Sequence, residues 1–240
     1  MNAEEPTSPN SDPLIVTIDG PAGSGKSTLA RQLAARLGLD FLDTGAMYRG
    51  VAAKAIERGI DIPREPYYVV ELARNCPLRF DWATDPPRLY ARDADVTDRL
   101  RDRDVTDAVS DVASIGAVRQ VLVEEQRCIG EEHPRLVTEG RDQGSIVFPG
   151  ADVKFYLDAS PAVRAQRRAD QLREMGKPVQ FDAIRKNIIE RDRKDSTRPD
   201  GPLICPDNAI KIDTSEMTLA EVLDLLEQNV RVKVGLRVGG

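Results

Sequence analysis

Residues 20–28 read Gly20-Pro21-Ala22-Gly23-Ser24-Gly25-Lys26-Ser27-Thr28 and satisfy G-x-x-x-x-G-K-[ST] at every fixed position. The flanks give the match its weight. Leu14-Ile15-Val16-Thr17-Ile18 before it is an apolar, β-branched run with the pattern of a buried strand. After it, Leu29, Ala30, Leu33, Ala34 and Leu37 share one face of a helix spanning Thr28 to Leu37. Strand, glycine-rich loop and helix together aim backbone N–H groups at a phosphate on a helix N-terminus. The three glycines allow positive φ and close backbone approach, Lys26 reaches toward the β- and γ-phosphates, and the Ser27 hydroxyl suits Mg²⁺. The stretch from Gly20 to Thr28 therefore predicts a site for a nucleoside triphosphate.

Working outward, Leu39 to Asp43 reads as a second strand. It ends at Thr44, which is expected to cap a helix running to about Arg58. Between Ile62 and Arg103, prolines at 63, 66, 77, 86 and 87 exclude long helix except over Tyr67 to Asn75. Alternation in Leu78–Trp82 and Arg88–Ala91, separated by Asp85-Pro86-Pro87, predicts a hairpin and marks 62–103 as an insertion. Helices are expected over 105–115 and 117–129, strands over 136–138 and 153–157, and helices over 161–174 and 182–195. A strand at 209–212 and a helix from Leu219 complete the pattern, with a basic tail after Val230. Such alternation predicts an α/β fold with a doubly wound parallel sheet, whose ligands gather at the C-terminal strand ends. The core is 14–61 plus 104–240. Residues 1–13, with Pro6, Pro9 and Pro13, read as a disordered tail.

Composition narrows the function classes. The 240 residues are 40% hydrophobic and 31% charged, with a net charge of −6, which argues against a nucleic-acid polymer or a membrane surface as partner. Cys76, Cys128 and Cys205 are odd in number and far apart, the pattern of reduced thiols. Neither a membrane-spanning run nor a signal-peptide core is evident, so a cytoplasmic location is expected. The lone histidine, His133, reads as a surface-loop residue without a catalytic task.

Three further stretches combine with the glycine-rich loop. Asp43-Thr44-Gly45-Ala46-Met47-Tyr48-Arg49, Gly140-Arg141-Asp142 and Arg191…Asp195…Arg198 together resemble the bacterial cytidylate kinases, P-loop nucleoside monophosphate kinases, over nearly the whole chain. The resemblance implies transfer of the ATP γ-phosphoryl group to CMP and dCMP with Mg²⁺. It also implies a nucleoside-monophosphate-binding role for the insertion 62–103 and a lid at about 168–180 that closes over ATP. A monomer is expected.

By the same resemblance Lys26, Arg141 and Arg191 are catalytic, and Ser27 holds the metal. Thr44 faces the pyrimidine, Arg49 meets the acceptor phosphate, Ser110 lies near the sugar and Arg119 on the pyrimidine edge. Asp142 accepts from the cytosine amino group, Arg191 and Asp195 contact the pentose, and Arg198 reaches toward the acceptor nucleotide.

Spacing alone leaves alternatives. Arg191, Asp195 and Arg198 share a helix face, a spacing that by itself favours a solvated salt-bridge stripe. Asp142 reads as a turn residue, Thr44 and Ser110 as caps, and Arg167 and Arg168 as solvated charges or lid contacts. Competing functions are a P-loop kinase of another small acceptor (UMP, AMP or a shikimate-like compound) and a GTPase-type switch. The switch would need N-K-x-D and D-x-x-G, and neither occurs. An adenylate-kinase zinc lid would need four ligands that three scattered cysteines cannot supply.

Overall fold

Residues 12–235 are described by the computed structural model. Residues 1–11 of the expected tail and 236–240 of the basic C-terminal stretch lie outside the described residues. Strand β1 (Leu14–Asp19) leads through the glycine-rich loop into α1 (Lys26–Leu37), followed by β2 (Asp40–Asp43) and α2 (Thr44–Glu57). The insertion holds α3 (Pro66–Asn75), the short strands β3 (Leu78–Asp81), β4 (Arg88–Ala91) and β5 (Ala94–Asp95), and a 3₁₀ turn over Thr97–Arg101. Then come α4 (Arg103–Ser114), α5 (Gly116–Glu132), β6 (Arg135–Gly140) and a π-helical turn over Gln143–Val147. Strand β7 (Val153–Asp158) precedes α6 (Pro161–Glu174) and α7 (Phe181–Thr197), and β8 (Ile210–Asp213) and α8 (Leu219–Lys233) close the chain.

The main sheet has five strands in the order β2-β6-β1-β7-β8, and all its pairings are parallel. This is the expected α/β architecture. The register sets Asp19 beside Gly140 and Asp43 beside Glu139, so the ends of β1, β2 and β6 are level. Parallel strands all deliver their following loops to the same edge. The glycine-rich loop, Asp43-Thr44 and Arg141-Asp142 thus become neighbours, although they are far apart in sequence.

Side-chain alternation in the strands sorts the interior into two halves. Leu14, Val16 and Ile18 of β1, with Val137 of β6, pack with Leu29 and Leu33 of α1 and Leu223 and Leu226 of α8. Leu136 faces the other way and joins Met47 and Val51 of α2, Val109 of α4 and Leu122 of α5. Val69, Leu72, Phe80 and Leu89 of the insertion belong to this second cluster.

Four local readings change. The expected hairpin gains a third strand, because β5 pairs antiparallel with β4. The break between α4 and α5 falls at Ile115, whose extended backbone (φ −81°, ψ 104°) ends the first helix, and Gly116 opens the next. Thr44 does not cap α2: Asp43 does, accepting the Ala46 N–H at 2.9 Å, and Thr44 lies inside the helix. His133 is not a free surface residue. Its Nδ1 lies 2.8 Å from Asp40 Oδ2, and its ring stacks on Trp82 at a centroid distance of 4.2 Å.

Phe155 sits in β7 with no exposed surface. Removing a buried aromatic ring forfeits transfer energy and leaves a cavity. Phe155→Ala should cost about 3–5 kcal/mol, read as a lower urea midpoint with an unchanged slope in equilibrium unfolding.

Candidate active site

The N-terminus of α1 is built to hold an anion. Gly25, at the N-cap, has φ 89° and offers no side-chain cap, and the first turn of α1 carries no acidic residue. Its leading N–H groups are therefore open to a ligand. Gly20 (φ 149°) and Gly23 (φ 78°) complete the loop. A side chain at Gly20 would run into the Leu157 carbonyl of β7, so the close approach of loop to sheet requires glycine. Lys26 is buried and folds back, its Nζ donating to the Pro21 carbonyl at 2.8 Å. Burial, reinforced by the Arg141 charge, pushes its ammonium down to about 7.

Beneath the loop lie carboxylates from neighbouring strand ends. Ser27 Oγ donates to Glu139 Oε1 at 2.6 Å. Burial and the Asp43 charge raise the Glu139 carboxyl above its ordinary range, against the pull of Lys26. The Ser27–Glu139 oxygens fit Mg²⁺, which binds few protein oxygens and fills its shell with water and phosphate. Among the described residues, no group of three or more His, Cys, Asp or Glu forms a metal cage. Asp19 is fully buried and accepts the Gln143 and Gly144 N–H groups at 2.8 and 2.7 Å. Burial lifts its carboxyl to about 7.

Arginines close the other side. Arg141 Nε donates to Asp195 Oδ2 of α7 at 2.8 Å. Burial would pull the Arg141 guanidinium down, but Asp195 outweighs it and raises it. Arg191 has a buried Nε without a hydrogen-bond partner. Burial first, then the Arg141 charge, brings it to about 10, with Arg49 adding to the effect. Arg49 donates to Asp43 Oδ2 at 2.8 Å. Burial works against the Asp195 anion, yet Arg141, Arg191 and Arg198 hold its carboxyl below the usual range.

A second corner adjoins the first. Arg119 of α5 and Asp142 form a buried ion pair, and Arg119 Nη1 donates to the Tyr48 hydroxyl at 3.1 Å. Arg198 Nη2 is buried without a partner, while its Nε donates to the Gly201 carbonyl at 2.5 Å. Ser110 lines a cleft of about 250 Å³ between α4 and α7, together with Asp195 and Arg198. Thr44 points inward, its Oγ1 donating to the Glu139 carbonyl at 2.7 Å.

Residues 16–232 match the family model described as cytidylate kinase. The chain belongs to the cytidylate kinase family. It is 42% identical over 210 residues to a cytidylate kinase of Nitrosococcus oceani, covering 87% of this chain and 92% of that protein. A cytidylate kinase of Salinibacter ruber is 40% identical over 226 residues, covering 92% and 99%. A bifunctional pantoate ligase/cytidylate kinase of Trichormus variabilis is 44% identical over 212 residues, or 87% of this chain, but the match spans only 39% of that protein's length.

Against the family's expected positions, the structure brings Lys26, Arg49, Arg141, Arg191 and Asp195 to one rim, with Arg119, Asp142 and Arg198 beside them. The helix face carrying Arg191, Asp195 and Arg198 is no solvated stripe, since Asp195 is buried and the Arg198 side chain is 7% exposed. Asp142 is 4% exposed and ion-paired, not a simple turn residue. Arg167 is tied to Thr214, and Arg168 lies exposed beside Gln171. The arginine that meets the glycine-rich loop is Arg164, to which sequence reading assigned nothing. It donates to the Ala22 carbonyl at 3.0 Å and to both oxygens of Asp192 at 3.1 and 2.6 Å. Glu139 and Asp19 were also missed. Their signal is a carboxylate ending an otherwise apolar strand beside the glycine-rich loop.

Among the described residues no helix is long and apolar enough to cross a membrane.

The depressed Lys26 ammonium has a measurable consequence. A phosphate beside Nζ favours the charged form and raises its pKa again. ATP binding without divalent cation should therefore take up protons above about pH 7, and affinity should fall as pH rises through that value. Calorimetric titrations in buffers of different ionisation enthalpy measure the uptake, and Lys26→Met should abolish it.

Proposed function

We propose that this protein transfers the γ-phosphoryl group of ATP to CMP and dCMP, giving ADP and CDP or dCDP. One observation carries the phosphoryl-transfer part. Lys26, Arg141, Arg191 and Arg49 converge at the strand ends with a guanidinium nitrogen of Arg191 buried and unpaired. Buried cations without full compensation are costly, and a polyphosphate supplies the missing negative charge. Membership of the family supports CMP as the acceptor, and the Arg119–Asp142 pair is the chemistry suited to it.

The chain's own groups account for the transfer. Backbone N–H groups of the glycine-rich loop hold the β-phosphate, and Lys26 neutralises oxygens on the β–γ side. Ser27 and Glu139 would hold Mg²⁺, which when bound spreads the charge of the β- and γ-oxygens. Arg141 and Arg191 line the space between donor and acceptor, where charge spreads onto the equatorial oxygens in the transition state. Arg49, oriented by Asp43, receives the acceptor phosphate in a planar fork. A phosphate monoester is already anionic and needs no strong general base, so positioning and electrostatics suffice. Ser110, Arg191 and Asp195 contact the pentose, Thr44 borders the base, and Arg198 reaches the acceptor nucleotide.

The insertion 62–103 is read as the nucleoside-monophosphate-binding segment. The lid is read as about 168–180, the last turns of α6 and the turn that leads into α7, whose closure keeps water from the γ-phosphate. Arg164 ties both lid helices to the glycine-rich loop. The same reading takes the enzyme as a cytoplasmic monomer, and its free cysteines suit a reducing compartment.

A coupled ADP-release assay across CMP, dCMP, UMP, AMP, GMP and shikimate tests the proposal. CMP and dCMP should give the highest kcat/KM, and a faster rate with shikimate or AMP would overturn it. Base reading has its own test. Asp142 accepts from the cytosine amino group, whereas uracil places a carbonyl there and meets the negative charge. Because Arg119 relies on this carboxylate, Asp142→Asn is the cleaner variant. It should lower kcat/KM for CMP by about 10- to 150-fold, the value of a hydrogen bond to a charged group, and affect UMP much less. An unchanged CMP:UMP ratio would remove Asp142 from the base site.

A further inference from the structure

An aspartate at the start of a helical turn ordinarily caps it, its side chain accepting the N–H groups of the residues that follow. Asp142 occupies that position. Its carbonyl accepts the Ile146 and Val147 N–H groups at 2.9 and 3.2 Å, opening the turn over Gln143–Val147. The Asp142 side chain nevertheless makes no capping bond and pairs with Arg119. The N–H groups that it leaves are met from outside the turn. Asp19, the last residue of β1, accepts the Gln143 N–H on Oδ1 at 2.8 Å and the Gly144 N–H on Oδ2 at 2.7 Å. Asp19 has no exposed surface, and Gln143 and Gly144 are both buried.

We propose that Asp19 is a positioning residue for base recognition, capping the turn in place of Asp142 and so freeing Asp142 to face the acceptor. The inference rests on the reading of Asp142 as the base-reading carboxylate. Two carboxylates compete here for the same donors. Buried N–H groups must be paired, and Asp142 stands at the position from which an aspartate reaches them. With both Asp19 oxygens on those groups the local demand is gone, and the Asp142 carboxylate is left to Arg119. Pairing the two N–H groups does not by itself call for a residue of the central strand. Asp142 alone could do it, without the cost of burying a second carboxylate. What the second carboxylate adds is an Asp142 that points into the base corner. Burial raises the Asp19 carboxyl, but the Gly144 and Gln143 N–H groups act against it and favour the ionised form that accepts both. Asp19 also directly precedes Gly20, so the phosphate loop and the base-reading turn are held from one strand end.

The test compares Asp19→Asn, Asp142→Asn and the double variant, with KM and kcat measured for CMP, UMP and ATP and with thermal melting alongside. An amide at position 19 accepts one of the two N–H groups and turns its own NH₂ on the other, which is then left to Asp142. Asp19→Asn should lower the CMP:UMP ratio of kcat/KM about 10-fold, the lower value of a hydrogen bond to a charged group, through a raised KM for CMP. Asp19 also lies within the field of Lys26, but any effect by that route falls on both acceptors alike and cancels in the ratio. The double variant should keep the ratio of Asp142→Asn alone, because Asp19 acts only through the carboxylate that variant lacks. An Asp19→Asn enzyme that melts lower yet keeps the wild-type ratio overturns the proposal, as does a double variant whose ratio falls below that of Asp142→Asn. Should Asp19→Asn fail to fold, Asp19→Ser, which retains one acceptor and adds no opposing amide, is judged by the same ratio. Failure of both to fold makes the carboxylate a support of the whole sheet edge and equally overturns the proposal. A wild type with no preference for CMP over UMP, or a ratio unchanged in Asp142→Asn, overturns the base-reading assignment and this inference with it. A ratio that falls in Asp142→Asn but not in Asp19→Asn overturns this inference alone.

Discussion

Like charges crowded into a poorly hydrated rim repel one another, and the site is arranged around that repulsion. Lys26, Arg141 and Arg191 each lower the pKa of another member of the group or have their own lowered by it. The compensating carboxylates come from separate places: Asp43 and Glu139 from β2 and β6, Asp195 from α7. Each takes up part of the charge, and the unpaired Nε of Arg191 marks where compensation stops. A site held in this condition is preorganised for a polyanion, because the protein has already met the cost of assembling the cations.

Parallel register is what makes such an assembly feasible. Asp19, Asp43 and Glu139 come from three strands whose ends are level, so short side chains suffice to reach the loop. The helices supply the longer reach. Arg141 and Asp195 are 54 positions apart in sequence, yet they meet because α7 lies across the strand ends. The insertion contributes no separate interior: its Val69, Leu72 and Leu89 pack in the same cluster as Met47 and Val51 of α2. Its orientation is thereby tied to the helix that carries Arg49.

Much of this was legible in the sequence, for reasons that differ by residue. The glycine-rich loop announces itself because its chemistry is backbone chemistry and only glycine permits it. The strand–helix alternation and the inserted β segment follow from periodicity and proline placement. Arg164 was not legible, because its partners, Ala22 and Asp192, are defined only by tertiary packing. Asp43 and Thr44 show a finer limit: both are good caps by type, and the choice between them depends on where β2 ends.

The stacking of Trp82 on His133 has a practical side. Trp82 is the sole tryptophan of the chain, it follows β3 at the edge of the insertion, and its ring rests on a residue at the end of α5. Light emitted by that indole therefore comes from a single place, the seam between the inserted segment and the body of the molecule. The protein carries an optical gauge of that seam, with no label to attach and no competing tryptophan signal to subtract.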